Sequence, residues 1–173
     1  KYDLLLTNRK NLNMLDAQQV SFFLEKNNVD VVLHTAVSGC GRNTDTYEDF
    51  CNNINMFNNL YNNRDKFKIM INFGSGAELN RRYNISKKHE EAIFESLPDD
   101  YYGLAKNMIT REILKTDNIY NFRIFGSFGA HEKNTRFIKN SLFRLSNNQP
   151  IEINSNIIVE CSQSRSKINK NNP

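Results

Sequence analysis

The sequence predicts an α/β fold with a doubly wound, mainly parallel sheet and helices on both of its faces. Two observations support this prediction. Short apolar runs rich in β-forming residues alternate with longer amphipathic segments along residues 1–150. One of these runs, Val29–Thr35, is almost continuously apolar, which is typical of a parallel strand buried on both sides.

The elements follow in order along the chain. Tyr2–Thr7 is predicted to be a short strand, and Asp16 is expected to cap a helix that runs to about Lys26. After the strand at Val29–Thr35, the pattern predicts a helix over 46–62, a strand over 68–73, a helix over 102–115, a strand over 119–125 and a helix over 136–145.

Composition excludes several classes of function. The chain has 173 residues, which suits one domain, and its net charge of +4 is too small and dispersed to indicate a nucleic-acid partner. No apolar run reaches the ~20 residues of a membrane span, and the first residues lack the pattern of a signal peptide. The three cysteines are odd in number and far apart, which favours a reducing, cytoplasmic location. The three histidines have no metal-ligand spacing with any cysteine, so no metal is expected.

Tyr102 and Lys106 form the most informative motif. Four residues apart on a predicted helix, the two side chains share one face, with Cβ atoms roughly 5–6 Å apart. A fixed positive charge favours the phenolate and lowers the pKa of a tyrosine toward neutral pH. The pair is therefore a candidate device for proton transfer. Tyr101 is a rival phenol, but only Tyr102 has a lysine four residues later.

Strands on either side of that helix end in small residues. Residues 68–73 lead into Gly74-Ser75-Gly76, and residues 119–125 lead into a glycine-containing segment that closes at Gly129. In open α/β sheets, ligands bind at the carboxyl ends of the strands. We therefore expect Ser75 to lie at the same edge of the sheet as the tyrosine and lysine.

This order of features resembles the extended short-chain dehydrogenase/reductases, in particular the NAD(P)-dependent nucleotide-sugar epimerases, dehydratases and reductases. Residues 28–37, NVDVVLHTAV, are similar to that family's strand DVVIHLAA. Residues 52–60, NNINMFNNL, are similar to its helix N-V-x-G-T-x-N-L-L, and residues 123–129, RIFGSFG, to R-L-x-N-x-Y-G. The resemblance covers roughly residues 1–150 and implies a Rossmann-like fold.

The resemblance implies a role for each motif residue. Tyr102 would be the general acid/base, and Lys106 would lower the pKa of the phenol and hydrogen-bond the nicotinamide ribose. Ser75 would bond the reacting oxygen; a turn residue is the equal alternative. Gly76 stands where many relatives carry the catalytic hydroxyl.

The resemblance also implies NADP or NAD as cofactor and a nucleotide-sugar as substrate. Ala36 and Val37 would line the cofactor groove, and Asn13 and Met14 stand where the family contacts adenine. Arg9 follows the presumed second strand of the fold, where a basic residue favours the 2′-phosphate of NADP. An ordinary surface arginine is the alternative.

The family's glycine-rich pyrophosphate loop has no counterpart in the sequence. We therefore expect a Rossmann-like domain that is incomplete at its N-terminus. Residues 1–154 would be a partial NAD(P)-binding domain, without the family's second, substrate-binding lobe. The polar residues 155–173 have the composition of a disordered tail.

Four further side chains have weaker assignments. Cys40 and His131 match the residue types that move protons at ring carbons in epimerising relatives, but a bystander thiol and a loop imidazole are the alternatives. Arg123 and Arg136 could contact substrate phosphate, and ordinary salt bridges are the equal alternative.

Three hypotheses remain open. The chain is a nucleotide-sugar epimerase, dehydratase or reductase domain, an inactive homologue that only binds or dimerises, or an unrelated α/β domain in which Tyr102 and Lys106 are surface residues. In the family, the helices equivalent to 46–62 and 102–115 often form a four-helix dimer interface, so the resemblance allows a homodimer.

Overall fold

The structure, a computed structural model, describes residues 2–39, 44–80, 82–83, 87–154 and 157–159, the side chains of 152–154 and 157–159 excepted. It contains two compact units, residues 1–125 and 126–173.

The first unit alternates helices and strands as the sequence predicts. Its main elements are α1 (Ala17–Asn27), β1 (Val31–His34), α2 (Tyr47–Tyr61), β2 (Ile69–Ser75), α3 (Tyr101–Ile113) and β3 (Ile119–Ile124). Short 3₁₀ turns cover Arg64–Lys66, Gly76–Glu78 and Glu90–Phe94.

Side-chain caps fix where the three helices begin. Asp16 accepts hydrogen bonds from the backbone of Gln18 and Gln19, which confirms its predicted role at the start of α1. Thr46 forms a reciprocal capping box with Asp49 at the start of α2. Asp100 accepts a hydrogen bond from the backbone nitrogen of the third residue of α3. These bonds satisfy backbone groups that a helix leaves without partners.

The three strands form one parallel sheet in the order β1-β2-β3. His34 is level with Asn72, and Asn72 is level with Asn121 on the far side. The predicted mainly parallel sheet is confirmed. Because the strands are parallel, their carboxyl ends and the N-termini of α2 and α3 meet at one edge.

The main core fills the space between the helices and one face of this sheet. Its buried side chains come from all three helices and from β2 and β3, and include Val20, Leu24, Phe57, Leu60, Met70, Ile109, Ile113 and Ile119. On the other face, Val31 and Leu33 are 49% and 54% exposed, so the prediction that this strand is buried on both sides is wrong. That face has no helix packed on it in the described part of the unit.

Tyr2–Thr7 does not form the predicted strand. These residues have no regular secondary structure, and Leu4 and Leu6 are 70% and 77% exposed. None of the described strands pairs with them, and an extended segment without a neighbour has no ladder of hydrogen bonds to hold it. Apolar composition alone is therefore not enough to form a strand, because a strand also needs a neighbouring strand to pair with.

The second unit contains α4 (Phe137–Ser146), close to the predicted helix, and the antiparallel strands β4 (Ile151–Asn154) and β5 (Ile157–Val159). The strand β5 falls within the predicted tail. The rest of that tail, residues 155–156 and 160–173, lies outside the described residues.

Candidate active site

Tyr102 and Lys106 lie one turn apart at the start of α3. The Lys106 ammonium is 5.9 Å from the centre of the Tyr102 ring. Lys106 is buried, with 8% of its surface exposed, and its Nζ donates a 2.7 Å hydrogen bond to the main-chain oxygen of Phe73 on β2. The lysine therefore extends inward to the sheet while the phenol stays partly open to solvent.

Tyr101 has a different environment from its neighbour. Its ring packs edge-on against Tyr47, with ring centres 6.0 Å apart, and lies 6.3 Å from the ring of Phe50. Both partners belong to α2. The aromatic ring beside the Lys106 ammonium is thus that of Tyr102, which favours Tyr102 over Tyr101 as the phenol of the pair.

Ser75 closes β2, two residues beyond the carbonyl that accepts the Lys106 bond. Its hydroxyl oxygen accepts a 3.2 Å hydrogen bond from the backbone nitrogen of Ala77 and so caps the 3₁₀ turn Gly76–Glu78. Ser75 has the turn role that the sequence left open. The hydroxyl proton can still be donated to another oxygen.

Gly76 has no room for a side chain without movement of its neighbour. A Cβ at this position would lie 2.6 Å from the ring of Phe125. Phe125 is 68% exposed, so the obstruction is the ring of a surface residue. A serine at position 76, the arrangement of many relatives, would therefore require that ring to rotate away.

Ala36 and Val37 lie in the loop after β1, which α2 holds in place. Asn53 exchanges two 2.9 Å hydrogen bonds with the backbone nitrogen and oxygen of Ser38. The Ser38 hydroxyl donates a 2.7 Å bond to Asp49, and this bond is the main cause of the lowered pKa of that carboxyl group. Asn53 falls within the helix motif quoted above, but no role was predicted for it from the sequence.

His34 lies at the carboxyl end of β1 and is 5% exposed. Burial and, to a lesser extent, the positive charge of Lys106 lower its pKa from 6.5 to about 4. The imidazole is therefore neutral at physiological pH and within electrostatic reach of the candidate lysine.

Arg9, Asn13 and Met14 all precede α1. Arg9 and Asn13 are exposed, and the Asn13 side chain accepts a 3.1 Å hydrogen bond from the backbone of Leu15. Met14 packs against the main core, and its carbonyl accepts a bond from Asn59. These residues have local packing and turn contacts, and their role in cofactor binding stays a prediction.

Arg123 is held by two carboxylates. Its guanidinium contacts the fully buried Glu78 and the exposed Glu90. Burial alone would lower the pKa of Arg123, but the hydrogen bonds and charges of the two glutamates outweigh it and raise the pKa. In the structure, Arg123 thus forms the salt bridges that were the alternative to phosphate binding. Glu78 itself was not foreseen, because its partners are distant in sequence.

The remaining candidates lie elsewhere. In the second unit, Arg136 pairs with Glu132 at 3.2 Å and His131 is exposed. Cys40 lies outside the described residues. Across the described part of the chain, no helix has the length and apolar character of a membrane span.

Comparison with known proteins identifies the class. The parallel sheet with its helices has the layout of a Rossmann-like α/β domain. The model of the NAD dependent epimerase/dehydratase family matches residues 2–165, so the chain belongs to this family. No curated protein sequence matches the chain.

Solved structures share the fold at low sequence identity. A GDP-D-glycero-L-gluco-heptose synthase from Campylobacter jejuni, solved with NADPH, superimposes with a TM-score of 0.74 and 22% identity over 83% of this chain and 47% of that one. A GDP-mannoheptose C4 reductase from the same organism, with NADP bound, gives 0.75 and 21% over 85% and 48%. The Bordetella bronchiseptica enzyme WbmG with NAD gives 0.65 and 19% over 79% and 44%. The chain spans less than half the length of these proteins.

Proposed function

We propose that the chain is part of an NAD(P)-dependent enzyme that epimerises, dehydrates or reduces a nucleotide-sugar. The observation that carries this proposal is the buried Lys106 ammonium beside the Tyr102 ring, at the edge of the sheet where Ser75 ends β2. Membership of the epimerase/dehydratase family supports the same reaction class.

In this proposal, Tyr102 accepts the proton of a sugar hydroxyl and returns it when the carbonyl is reduced. Lys106 keeps the phenolate accessible near neutral pH by its positive charge. Ser75 donates its hydroxyl proton to the reacting oxygen, while its lone pair holds the Ala77 backbone. A nicotinamide, when bound, would accept hydride from the sugar carbon and would return hydride to it in reduction.

The residues present fit part of such a cofactor. Lys106 places an ammonium, a group with three donors, at this edge of the sheet, and one of its hydrogen bonds is to the Phe73 carbonyl. The loop at Ala36 and Val37 has small or medium side chains, and Asn53 fixes its backbone. This loop is proposed to form one rigid side of the groove for a flat ligand. Arg9, Asn13 and Met14 are proposed to face the adenosine end. A glycine-rich turn for the pyrophosphate is not among the 173 residues.

We propose a nucleoside-diphosphate sugar as substrate. The names of the heptose synthase and of the C4 reductase each include a GDP-sugar. WbmG has also been solved with NAD and UDP. We propose a cytoplasmic location for such an enzyme. Among the described residues Cys51 is a free thiol, which is compatible with a reducing compartment.

We further propose that α2 and α3 form a homodimer interface. A groove of about 470 Å³ runs between them and is lined by apolar side chains such as Ile54, Leu104 and Met108. Met108 and Leu97 are 42% and 51% exposed there. A second copy would remove this apolar surface from water.

One observation favours a different function, that of an inactive homologue which binds or dimerises. At Gly76 the hydroxyl of many relatives is replaced by hydrogen, and the Phe125 ring lies over the vacant position. In that case the α2–α3 groove would keep its role while turnover would be absent.

A cofactor titration tests the proposed cofactor site. The full-length protein should bind NADPH or NADH, and the fluorescence of the reduced nicotinamide measures this binding. Lys106→Ala should weaken binding about 10- to 150-fold, since the loss of one charged hydrogen bond costs about 1.5–3 kcal/mol. Lys115→Ala, which changes an exposed lysine just beyond α3, should bind like the parent. Equal binding by parent and Lys106→Ala would contradict the proposed site, and no binding by the parent would favour the inactive homologue.

A further inference from the structure

Glu78 is a fully buried carboxylate close to the candidate site. It ends the 3₁₀ turn Gly76–Glu78, which directly follows Ser75. Burying a charge is costly unless hydrogen bonds and an opposite charge compensate it. The partners of Glu78 therefore show which parts of the fold it joins.

Two of these partners lie on α3. The Thr110 hydroxyl donates a 2.6 Å hydrogen bond to the carboxylate, and the Asn107 amide donates a 2.9 Å bond to the Glu78 main-chain oxygen. Asn107 follows Lys106 directly, and Thr110 lies one turn further along the same helix.

The other partners lie on β3. Asn121 donates longer bonds of 3.3–3.4 Å to the carboxylate and a 2.9 Å bond to the Thr110 hydroxyl. The Arg123 guanidinium neutralises the charge, and the side chain of Arg123 is only 10% exposed. Helix and strand are thus joined through a single carboxylate.

Contacts of the residues that precede Glu78 continue this junction. Lys106 donates to the Phe73 carbonyl, and the α-carbon of Gly103 approaches the Ala77 carbonyl so closely that a Cβ there would be 2.6 Å away. The backbone from residue 73 to residue 78 therefore runs along the inner side of α3, and Glu78 is its charged end.

We infer that Glu78 is a positioning residue, which fixes the distance between Ser75 and the Tyr102–Lys106 pair by tying the turn after β2 to α3 and β3. This inference rests on the proposed function, because it gives Glu78 a role in the geometry of that reaction. A displacement of about 1 Å at such a site can cost on the order of 100-fold in rate.

The test compares Glu78→Gln with Glu90→Gln. Both replace a carboxylate on the same Arg123 guanidinium by an amide, but Glu90 is 81% exposed and has no part in the turn after Ser75. The full-length protein is labelled with 3-fluorotyrosine, and the fluorine signal of residue 102 is assigned by its loss in Tyr102→Phe.

Glu78→Gln should shift that signal and move its titration midpoint toward that of an ordinary phenol, because the 73–78 backbone, whose Phe73 carbonyl holds the Lys106 ammonium, is no longer fixed against α3. Glu90→Gln should leave both at the parental values. A folded Glu78→Gln protein with the parental signal and midpoint would overturn the inference. If Glu78→Gln does not fold, Thr110→Val removes one bond to the carboxylate at similar volume and should shift the signal in the same direction; an unchanged signal overturns the inference.

Turnover distinguishes this inference from the function it rests on. Glu78→Gln should lower kcat per folded molecule and leave KM for the nicotinamide cofactor within about twofold of the parental value. This limit is small, because even a tenfold change in KM would correspond to only about 1.4 kcal/mol. If Tyr102→Phe abolishes turnover while Glu78→Gln turns over like the parent, the positioning role fails and the proposed reaction stands. If the parent has no turnover, the proposed reaction fails, and the fluorine signal still decides whether Glu78 sets the geometry.

Discussion

Gly103 touches the main chain of Ala77: a Cβ added to this glycine would lie 2.6 Å from the Ala77 carbonyl oxygen. Gly103 directly follows Tyr102 on α3, and Ala77 is the middle residue of the turn that Ser75 caps. The close approach of these two backbones brings the phenol and the serine to the same edge of the sheet.

Gly103→Ala should therefore destabilise the fold, although alanine favours helices. The added methyl group meets a backbone oxygen, which cannot rotate away, and overpacking of this kind costs about 1–3 kcal/mol. Urea unfolding measures the change. Gly129→Ala is the matched control, because nothing lies within 4 Å of a Cβ there. A Gly103→Ala protein as stable as the parent would show that the two backbones are not in contact.

His34 should make stability depend on pH. Its pKa is lowered from 6.5 to about 4 in the folded chain, so the unfolded chain binds the proton more readily. The contribution is fully present above pH 6.5 and is lost as the pH falls toward 4, on the order of 3 kcal/mol in all.

Unfolding free energies between pH 4 and 8 test this, with His34→Gln as the variant and His89→Gln, which changes an exposed histidine, as control. The parent and His89→Gln should lose stability more steeply with acid than His34→Gln. Parallel curves for all three proteins would show that the His34 imidazole can be protonated in the folded state.

Asn53→Ala should loosen the loop that carries Ala36 and Val37. It leaves the buried nitrogen and oxygen of the Ser38 backbone without their side-chain partner, and each unsatisfied group costs about 1–3 kcal/mol. Asn55→Ala, at an exposed position on the same helix, should be neutral or slightly stabilising. Hydrogen exchange at the Ser38 amide provides the local measurement, and unchanged protection in Asn53→Ala would contradict the role of this bond.

Met108→Asp should dissociate the proposed homodimer, because a carboxylate in an apolar contact between subunits would lose its hydration. Sedimentation velocity of the full-length protein measures the oligomeric state. Phe22→Asp is the control, since Phe22 is a 66% exposed apolar residue on α1, away from the α2–α3 groove. A monomeric parent, or a dimer that survives Met108→Asp, would place any interface elsewhere.

Local signals in the sequence were sufficient for much of this fold. Asp16 and Thr46 stand where α1 and α2 begin because a cap depends only on the next three residues. The four-residue spacing of Tyr102 and Lys106 placed both on one helix face for the same reason.

Features that depend on distant partners could not be predicted in this way. Glu78 has partners 29–45 positions away on α3 and β3, and Asn53 binds a loop 15 positions earlier. Tyr2–Thr7 has the composition of a strand but no described strand beside it. Sequence pattern indicates what a segment can form, and pairing decides whether it does.

The most direct test of the central claim compares Tyr102→Phe with Tyr101→Phe in the full-length protein. Each variant removes one hydroxyl group, and the two positions are adjacent, but only the ring of residue 102 lies beside Lys106. With a nucleotide-sugar substrate, Tyr102→Phe should lower kcat by about 10²–10⁴-fold while cofactor binding stays near the parental value, because a general acid/base contributes about that factor. Tyr101→Phe should turn over like the parent. Parental turnover in Tyr102→Phe would contradict proton transfer by this phenol.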